Sequence, residues 1–366
     1  MTQASGKRQI KPATLADVGR AAGVSAMAAS TVLNGARTSS RIAPETRDRI
    51  VEAARKLRYR PNAAARALAN RRMDTLGVAV VIEGGELNQY FLEVFNGVLE
   101  AASRHNQNTT VFTLHNWTED AERLAKFCDG RIDGMVLLAP VFSKETAEHL
   151  PDHTPFVSVH ANIASPGMIN LESDEEAGAC NLVRHFISRG HRRIMHLSGK
   201  RGLLGAERRI EGYRRALAEA GIAFDESLLL DAHYTGVGGR TAMRSWLARS
   251  RGSQLPEAIF CANDAIAMGC LEALAEAGIR VPEDVSVAGF DDTLGARTTV
   301  PQLTTVRQPL SAMGAKAVET LLEQINQPAG RSTPRVASPY IFHTELVLRA
   351  SVGTPPTAPR MVPVRP

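Results

Sequence analysis

From Thr75 onward the chain alternates between short apolar runs and longer stretches with helical spacing. The apolar runs are LGVAVVI (76–82), TTVFTL (109–114), GMVLLA (134–139), FVSVH (156–160), RIMHLS (193–198), AIFCA (258–262) and VSVAGF (285–290). Helical patterns lie between them, for example over 91–105, 176–190 and 265–278. A strand covered on both faces needs a near-continuous apolar run, and strands that alternate with helices build βαβ units around a parallel sheet. The chain has 366 residues, enough to bury a sizeable core, and so long a series predicts two sheets rather than one. Open parallel sheets bind ligands beyond the carboxyl ends of their strands.

The first 75 residues break this pattern. TLADVGRAAGVSAMAASTVLN, from Thr14 to Asn34, reads as helix, tight turn and second helix. Thr14 and Asp17 make a capping box, and Leu15, Val18 and Ala22 recur at helical spacing. Gly23 supplies the turn and Ser25 caps the second helix, whose apolar face is Ala29, Val32 and Leu33. Such a pair lays one helix in the DNA major groove, although a helical hairpin inside a core carries the same pattern. Charge separates the two readings. Residues 1–75 hold 15 Lys or Arg against 5 Asp or Glu, whereas the whole chain holds 43 against 38. The entire basic excess therefore sits at the amino-terminal end, the electrostatic footprint of a polyanion binder.

Pro44 suits the first turn of a third helix, with Ile50, Val51, Ala54 and Leu57 along one face. Pro61 breaks it, because the residue before a proline avoids helical torsions. Asn62 then caps a short fourth helix, AAARALAN, which has almost nothing to bury. So short a helix is marginal alone and orders only against DNA or a partner copy. An alanine-rich linker is the other reading of the same residues.

TLADVGRAAGVS, VLNG, PETRDRI, LRYRPNAAARAL and LGV, in this order, resemble the lactose-repressor (LacI/GalR) family of bacterial transcription regulators. The resemblance runs on to about residue 350 through DGMVLL, RGHRRI, RRIEGYRRAL, FCANDAIAMGCLEAL, VPEDVSVAGFDD and PQLTTVRQP. It implies an α/β chain with an N-terminal all-α helix-turn-helix DNA-binding domain. The rest would be a bilobed periplasmic-binding-protein-like core of two doubly wound parallel sheets, with an effector in the cleft between the lobes. The expected divisions are a disordered basic tail (1–13), the helix-turn-helix domain (14–60), a hinge helix and linker (61–74), the effector-binding and dimerisation core (75–353), and a disordered proline-rich tail (354–366).

The resemblance also assigns roles residue by residue. Ala26, Met27 and Thr31 fall where the family reads bases; the first two offer apolar contact to a thymine methyl and Thr31 a hydrogen bond of either sense. Thr14, Ser25, Ser30, Asn34, Tyr59 and Asn62 complete the expected DNA surface, mainly as phosphate contacts that position without specifying. The family often has Thr where this chain has Ala28, so one polar contact is absent. On the hinge helix Leu68 holds the intercalating position, Ala65 lies one turn earlier and Arg66 reaches phosphate or the groove floor. The implied effector residues are Tyr90, Phe91, His160, Arg209, Tyr234, Asn263, Asp264 and Asp291. An arginine fork beside a carboxylate can hold adjacent hydroxyls, which favours a sugar or sugar acid. Leu203 replaces an arginine of purine-binding members and argues against a purine.

The expected partners are a pseudo-palindromic duplex operator, a small effector and a second copy of the chain. No cofactor or metal is implied. A Walker loop, a GxSxG and an HExxH are all missing, which speaks against an enzyme. A secreted solute-binding protein of the same fold is disfavoured by the basic head and the polar first 13 residues. Cys128, Cys180, Cys261 and Cys270 form no CxxC and read as reduced packing residues in a cytoplasmic protein with no membrane span.

Overall fold

The structure is a computed structural model that describes residues 13–34, 42–61, 67, 72–82, 88–148, 150–165, 167–327 and 338–364. Helix α1 (Leu15–Ala22) starts at Thr14, whose Oγ1 accepts from the Asp17 N–H at 3.3 Å while the Asp17 carboxylate accepts from the Thr14 N–H at 2.9 Å. This reciprocal bond satisfies two otherwise unpaired donors. Gly23 ends the helix at φ 70°, a left-handed torsion that a side chain would oppose. Helix α2 (Ala26–Asn34) follows Ser25, whose Oγ accepts from the Ala28 N–H at 3.1 Å. Helix α3 (Pro44–Lys56) closes a small core of Val18, Ala22, Ala29, Ile50, Ala53 and Ala54, against which Leu15, Val32, Leu33 and Tyr59 are half-buried.

Two details of α3 depart from expectation. Val51 and Leu57 are exposed, because a three-helix core this small covers only the strip of Ile50, Ala53 and Ala54. The helix also ends at Lys56, well before Pro61. Arg58 adopts φ 49° there, and the Tyr59 N–H reaches back to the Ala54 carbonyl at 2.9 Å. The stop is therefore a left-handed carboxyl-terminal turn, and proline is not its cause.

Residues 1–74 and 75–366 form separate compact units. The second unit holds β1 (Thr75–Val81), β2 (Asn108–Leu114), β3 (Gly134–Leu138), β4 (Phe156–Val159) and β5 (Ile169–Ser173), then β6 (Ile194–Ser198), β7 (Leu229–Asp231), β8 (Ala258–Cys261), β9 (Ser286–Asp291) and β10 (Thr304–Arg307). Two short strands, β11 (Tyr340–Phe342) and β12 (Glu345–Val347), each return to one sheet. The sheet orders are β11-β5-β4-β3-β1-β2 and β12-β10-β9-β8-β6-β7. All pairings are parallel except β10 with β12. Strands β3, β6, β8 and β9 are buried along their whole length, which is why they read as unbroken apolar runs.

Helices cover both faces of each sheet. On the first lobe α4 (Gln89–Arg104) and α12 (Leu310–Ile325) lie over Leu76, Val78, Val136 and Val157. Leu124 of α5 (Ala121–Phe127) packs on the opposite face, and the short α6 (Lys144–Glu148) follows β3. On the second lobe α7 (Glu175–Ser188) and α8 (Leu204–Glu219) cover one face. Helices α9 (Gly236–Arg249) and α10 (Asp264–Glu276) cover the other, and the short α11 (Leu294–Thr298) follows β9. The chain passes between lobes after Ser173, after Arg307 and between Phe342 and Glu345. The crossings are tied together by the Asp174 N–H on the Phe342 carbonyl at 2.8 Å and the Thr344 hydroxyl on the Asp174 carbonyl at 3.3 Å.

The proline-rich tail, expected to be disordered from Thr354, is instead held against the second lobe as far as Val362. Met361 bridges Gln254 in antiparallel fashion, and the Leu255 N–H donates to the Arg360 carbonyl at 2.8 Å. Val362 is 2% exposed, in a cluster with Trp246, Leu247 and Leu255. Arg360 pairs with Asp284 at 2.7 Å. Proline forbids a helix here but not an extended strap, and one buried valine gives that strap an anchor.

Candidate DNA-reading surface and effector cleft

On the head, α2 turns Ser25, Ala26 and Met27 outward, and Met27 is 74% exposed. An exposed thioether side chain on a helix start has no packing role there and is free to meet a base edge. Thr31 is half-buried and its hydroxyl donates to the Met27 carbonyl at 3.0 Å. It therefore turns only lone pairs outward, which narrows the expected hydrogen bond of either sense to an acceptor. The Asn34 Nδ2 donates to the Ser30 Oγ at 3.0 Å, which leaves the Ser30 hydroxyl proton free to donate to a phosphate. Ser25 keeps its hydroxyl proton in the same way.

Thr14 differs. Both its N–H and its hydroxyl donate to Asp17, so its donors are committed to the helix cap and none is left for phosphate. Tyr59 sits half-buried against the head core. Asn62, Ala65, Arg66 and Leu68 lie outside the described residues.

In the second unit, one polar cluster lies where β4, β5, β9 and β10 end. Arg209 projects from α8 and is 5% exposed. Its Nη2 donates to Glu175 at 2.7 Å, its Nη1 donates to the Ala262 carbonyl, and its Cζ lies 4.1 Å from the Phe290 ring centre and 5.5 Å from that of Tyr234. Burial opposes the charge, but Tyr234, Glu175 and Asp291 together raise the guanidinium pKa above its usual value. Burial likewise opposes the Glu175 carboxylate, yet Arg209 holds its pKa below the ordinary carboxylate value. The neighbouring Arg208 crosses from α8 to the first lobe and meets Glu172 at 2.7 Å.

Asp291 ends β9 at φ 112° and is 4% exposed. The Gln308 Nε2 donates to its Oδ1 at 2.6 Å. Burial, with the nearby Asp264 adding repulsion, pushes the Asp291 carboxyl up to about 8 against the pull of Arg209. Gln308 in turn accepts from the Ser173 hydroxyl, and the Ser173 N–H donates to His160 Nε2 at 3.2 Å. His160 Nε2 also lies 3.0 Å from the Ser173 Oγ, and Nδ1 shares a hydrogen bond with the Tyr90 hydroxyl at 2.6 Å. Burial lowers the His160 pKa to about 4, so the imidazole is neutral at physiological pH. Phe91 meets Tyr90 edge to face at 5.1 Å.

The remaining expected residues divide. The Asn263 Oδ1 caps α10 by accepting from the Ile266 N–H at 2.8 Å, and its Nδ2 donates to the Tyr234 carbonyl at 3.0 Å. One amide hydrogen stays available. Asp264 is committed within the fold. It is fully buried and accepts from the Thr293 N–H at 2.7 Å, the Thr293 hydroxyl at 3.0 Å and the Thr305 hydroxyl at 2.7 Å. Its work is to tie α10 to the β9 and β10 ends. Sequence reading missed Glu172, Ser173, Glu175, Arg208 and Gln308. Glu175 looks like an ordinary acid in a first helical turn, and Gln308 sits in the PQLTTVRQP segment with nothing to single it out.

A helix-turn-helix head joined to two doubly wound lobes, with a buried polar cluster at the strand ends where the lobes meet, defines a ligand-responsive DNA-binding regulator. Residues 14–62 match the model of bacterial regulatory proteins of the lacI family, and residues 183–352 match a periplasmic binding protein-like domain. The chain is 33% identical to the HTH-type transcriptional regulator GalR of Escherichia coli (strain K12) over 347 residues, covering 94% of this chain and 96% of that one. It is 31% identical to the ribose operon repressor of Haemophilus influenzae over 320 residues, covering 86% and 93%. The Lac repressor dimer bound to operator and the anti-inducer ONPF superposes with a TM-score of 0.80 at 25% identity, covering 94% and 100%. A transcriptional regulator CelR–cellobiose complex superposes at 0.66 with 30% identity, covering 93% and 99%. The chain belongs to the lacI family of bacterial transcription regulators.

Proposed function

We propose that the protein is a homodimeric repressor that holds a pseudo-palindromic operator through α2 and the hinge helix, and releases it when a small hydroxyl-rich effector enters the cleft. The cluster of Tyr90, His160, Arg209, Asn263, Asp291 and Gln308 carries this reading, because it draws polar groups from both lobes to one buried place. Sugars fit its mixture of neutral donors and acceptors with the Tyr90, Phe91 and Tyr234 rings. A ribose operon repressor among the relatives and a solved regulator in complex with cellobiose support the same class. The protein works by binding and not by turnover, and acts in the cytoplasm where its DNA lies.

Ligand and operator are linked through the lobe arrangement. A ligand that prefers one arrangement shifts the head's readiness for DNA, and DNA must alter ligand affinity by the same factor. Two measurements test this. Operator affinity in a band-shift titration should fall with salt at a log–log slope of roughly −0.9 per phosphate neutralised, and a flat response would remove the DNA reading. In a thermal-shift screen of sugars, the stabilising sugar should lose its effect in Tyr90→Phe and Asp291→Asn while operator binding persists. An undiminished response in both variants would remove the cleft reading.

A further inference from the structure

We propose that Glu175 determines effector specificity: by neutralising Arg209 inside the cleft, it makes the site take an uncharged polyol and refuse the matching carboxylate. This rests on the cleft being the effector site. A buried, unpaired guanidinium would be a strong carboxylate receptor, through two parallel N–H donors. Arg209 is not in that state. Glu175 takes Nη2 at 2.7 Å, the Ala262 carbonyl takes Nη1, and the Phe290 ring lies against the guanidinium plane. The Arg209 Nε is buried without a partner, which suits one neutral acceptor such as a hydroxyl.

The room for Glu175 is built into the fold. A Cβ on Gly205 would stand 2.7 Å from the Glu175 Oε1, so glycine at the start of α8 is what admits the carboxylate. Arg208 adds no free cation, since it lies 2.7 Å from Glu172 and 3.8 Å from Glu175. Two arginines thus face two buried glutamates. Asp291, hydrogen-bonded to Gln308, supplies either a neutral acid or one further negative charge. Among the described residues, an incoming carboxylate would find both arginines already paired with a glutamate and would meet Glu175 and Asp291. Rejection of this kind is specificity by repulsion rather than by added attraction.

The full-length protein should be titrated by calorimetry with matched pairs, D-galactose against D-galacturonate and D-glucose against D-glucuronate, and with inorganic phosphate at constant ionic strength. Wild type should bind no anion more tightly than its neutral partner. Glu175→Gln keeps an oxygen to accept from Arg209 but drops the charge, so binding of the uronates or phosphate should strengthen by at least about tenfold relative to the neutral sugars. Adding Arg209→Gln to that variant should erase the gain, an outcome that a merely structural role for Glu175 does not produce. A wild type that favours a uronate, or a folded Glu175→Gln with no gain for any of the anions, would overturn the proposal. A sugar response that survives Tyr90→Phe and Asp291→Asn sinks the cleft reading itself, whichever way the charge comparison falls.

Discussion

Val362→Ala is the sharpest test of the carboxyl-terminal strap. Val362 is 2% exposed against Trp246, Leu247 and Leu255, so the change removes two buried methyl groups and leaves a gap. Transfer at about 0.8 kcal/mol per group, plus incomplete collapse of the cavity, puts the loss near 2 kcal/mol. Ending the chain at Pro359 also removes the Arg360 pair with Asp284. That arginine is 51% exposed, so its contribution is discounted to under about 1 kcal/mol. The truncation further strips the Gly252, Leu255 and Val362 backbone bonds at 3.1, 2.8 and 2.8 Å, but their donors and acceptors regain water. Roughly 3–4 kcal/mol is therefore expected for the truncation. At about 2 °C per kcal/mol for a unit of this size, the melting temperature should fall by about 4 °C for Val362→Ala and by about 6–8 °C for the truncation. Circular dichroism melts at pH 7 measure both. Melting within about 1 °C of wild type for the two variants would refute the packing argument, because a disordered tail contributes nothing on either count.

The buried carboxyl of Asp291 makes a pH-dependent prediction. Its folded pKa, about 8, lies above the unfolded value, so the folded state holds a proton that the unfolded chain gives up, and stability from this group declines as pH rises from about 4 to 8. Asp291→Asn should therefore raise the melting temperature more at pH 9 than at pH 5; an equal effect at the two pH values would contradict the burial argument. On the head, Met27→Ala should weaken specific operator binding by roughly 1–3 kcal/mol with an unchanged salt slope, since an exposed apolar side chain neutralises no phosphate. A changed slope in the band-shift assay would place that residue on the backbone instead.

Local chemistry made much of this protein legible in its sequence. The capping box of Thr14 and Asp17, the turn at Gly23 and the cap at Ser25 involve neighbours a few residues apart, so composition and spacing suffice to place them. The seven anticipated strands lie within one residue of β1, β2, β3, β4, β6, β8 and β9; all but the edge strand β2 are central, and a central parallel strand must be apolar on both faces. Strands β5, β7, β10, β11 and β12 were not legible. Each is short or lies near a sheet edge, and INLES, LLD, TTVR, YIF and ELV carry too little apolar signal to stand apart from loops.

Only the tertiary structure decided which polar side chains the cleft can offer. Arg209 and Glu175 are 34 residues apart, and Ser173 and Gln308 are 135 apart, so neither bond leaves a trace in local periodicity. The same cause separates Asp264 from Asp291. Both are acids at strand ends, but hydrogen bonds from Thr293 and Thr305 enclose the first and leave the second one oxygen to share. The tail made the same point in reverse. Its prolines ruled out a helix by themselves, but whether Val362 would find a hydrophobic seat depended on Trp246 and Leu255, more than a hundred residues earlier in the chain. Backbone preference acts between neighbours and is written in the sequence, whereas the satisfaction of a buried charge or methyl group depends on which distant elements the fold brings beside it.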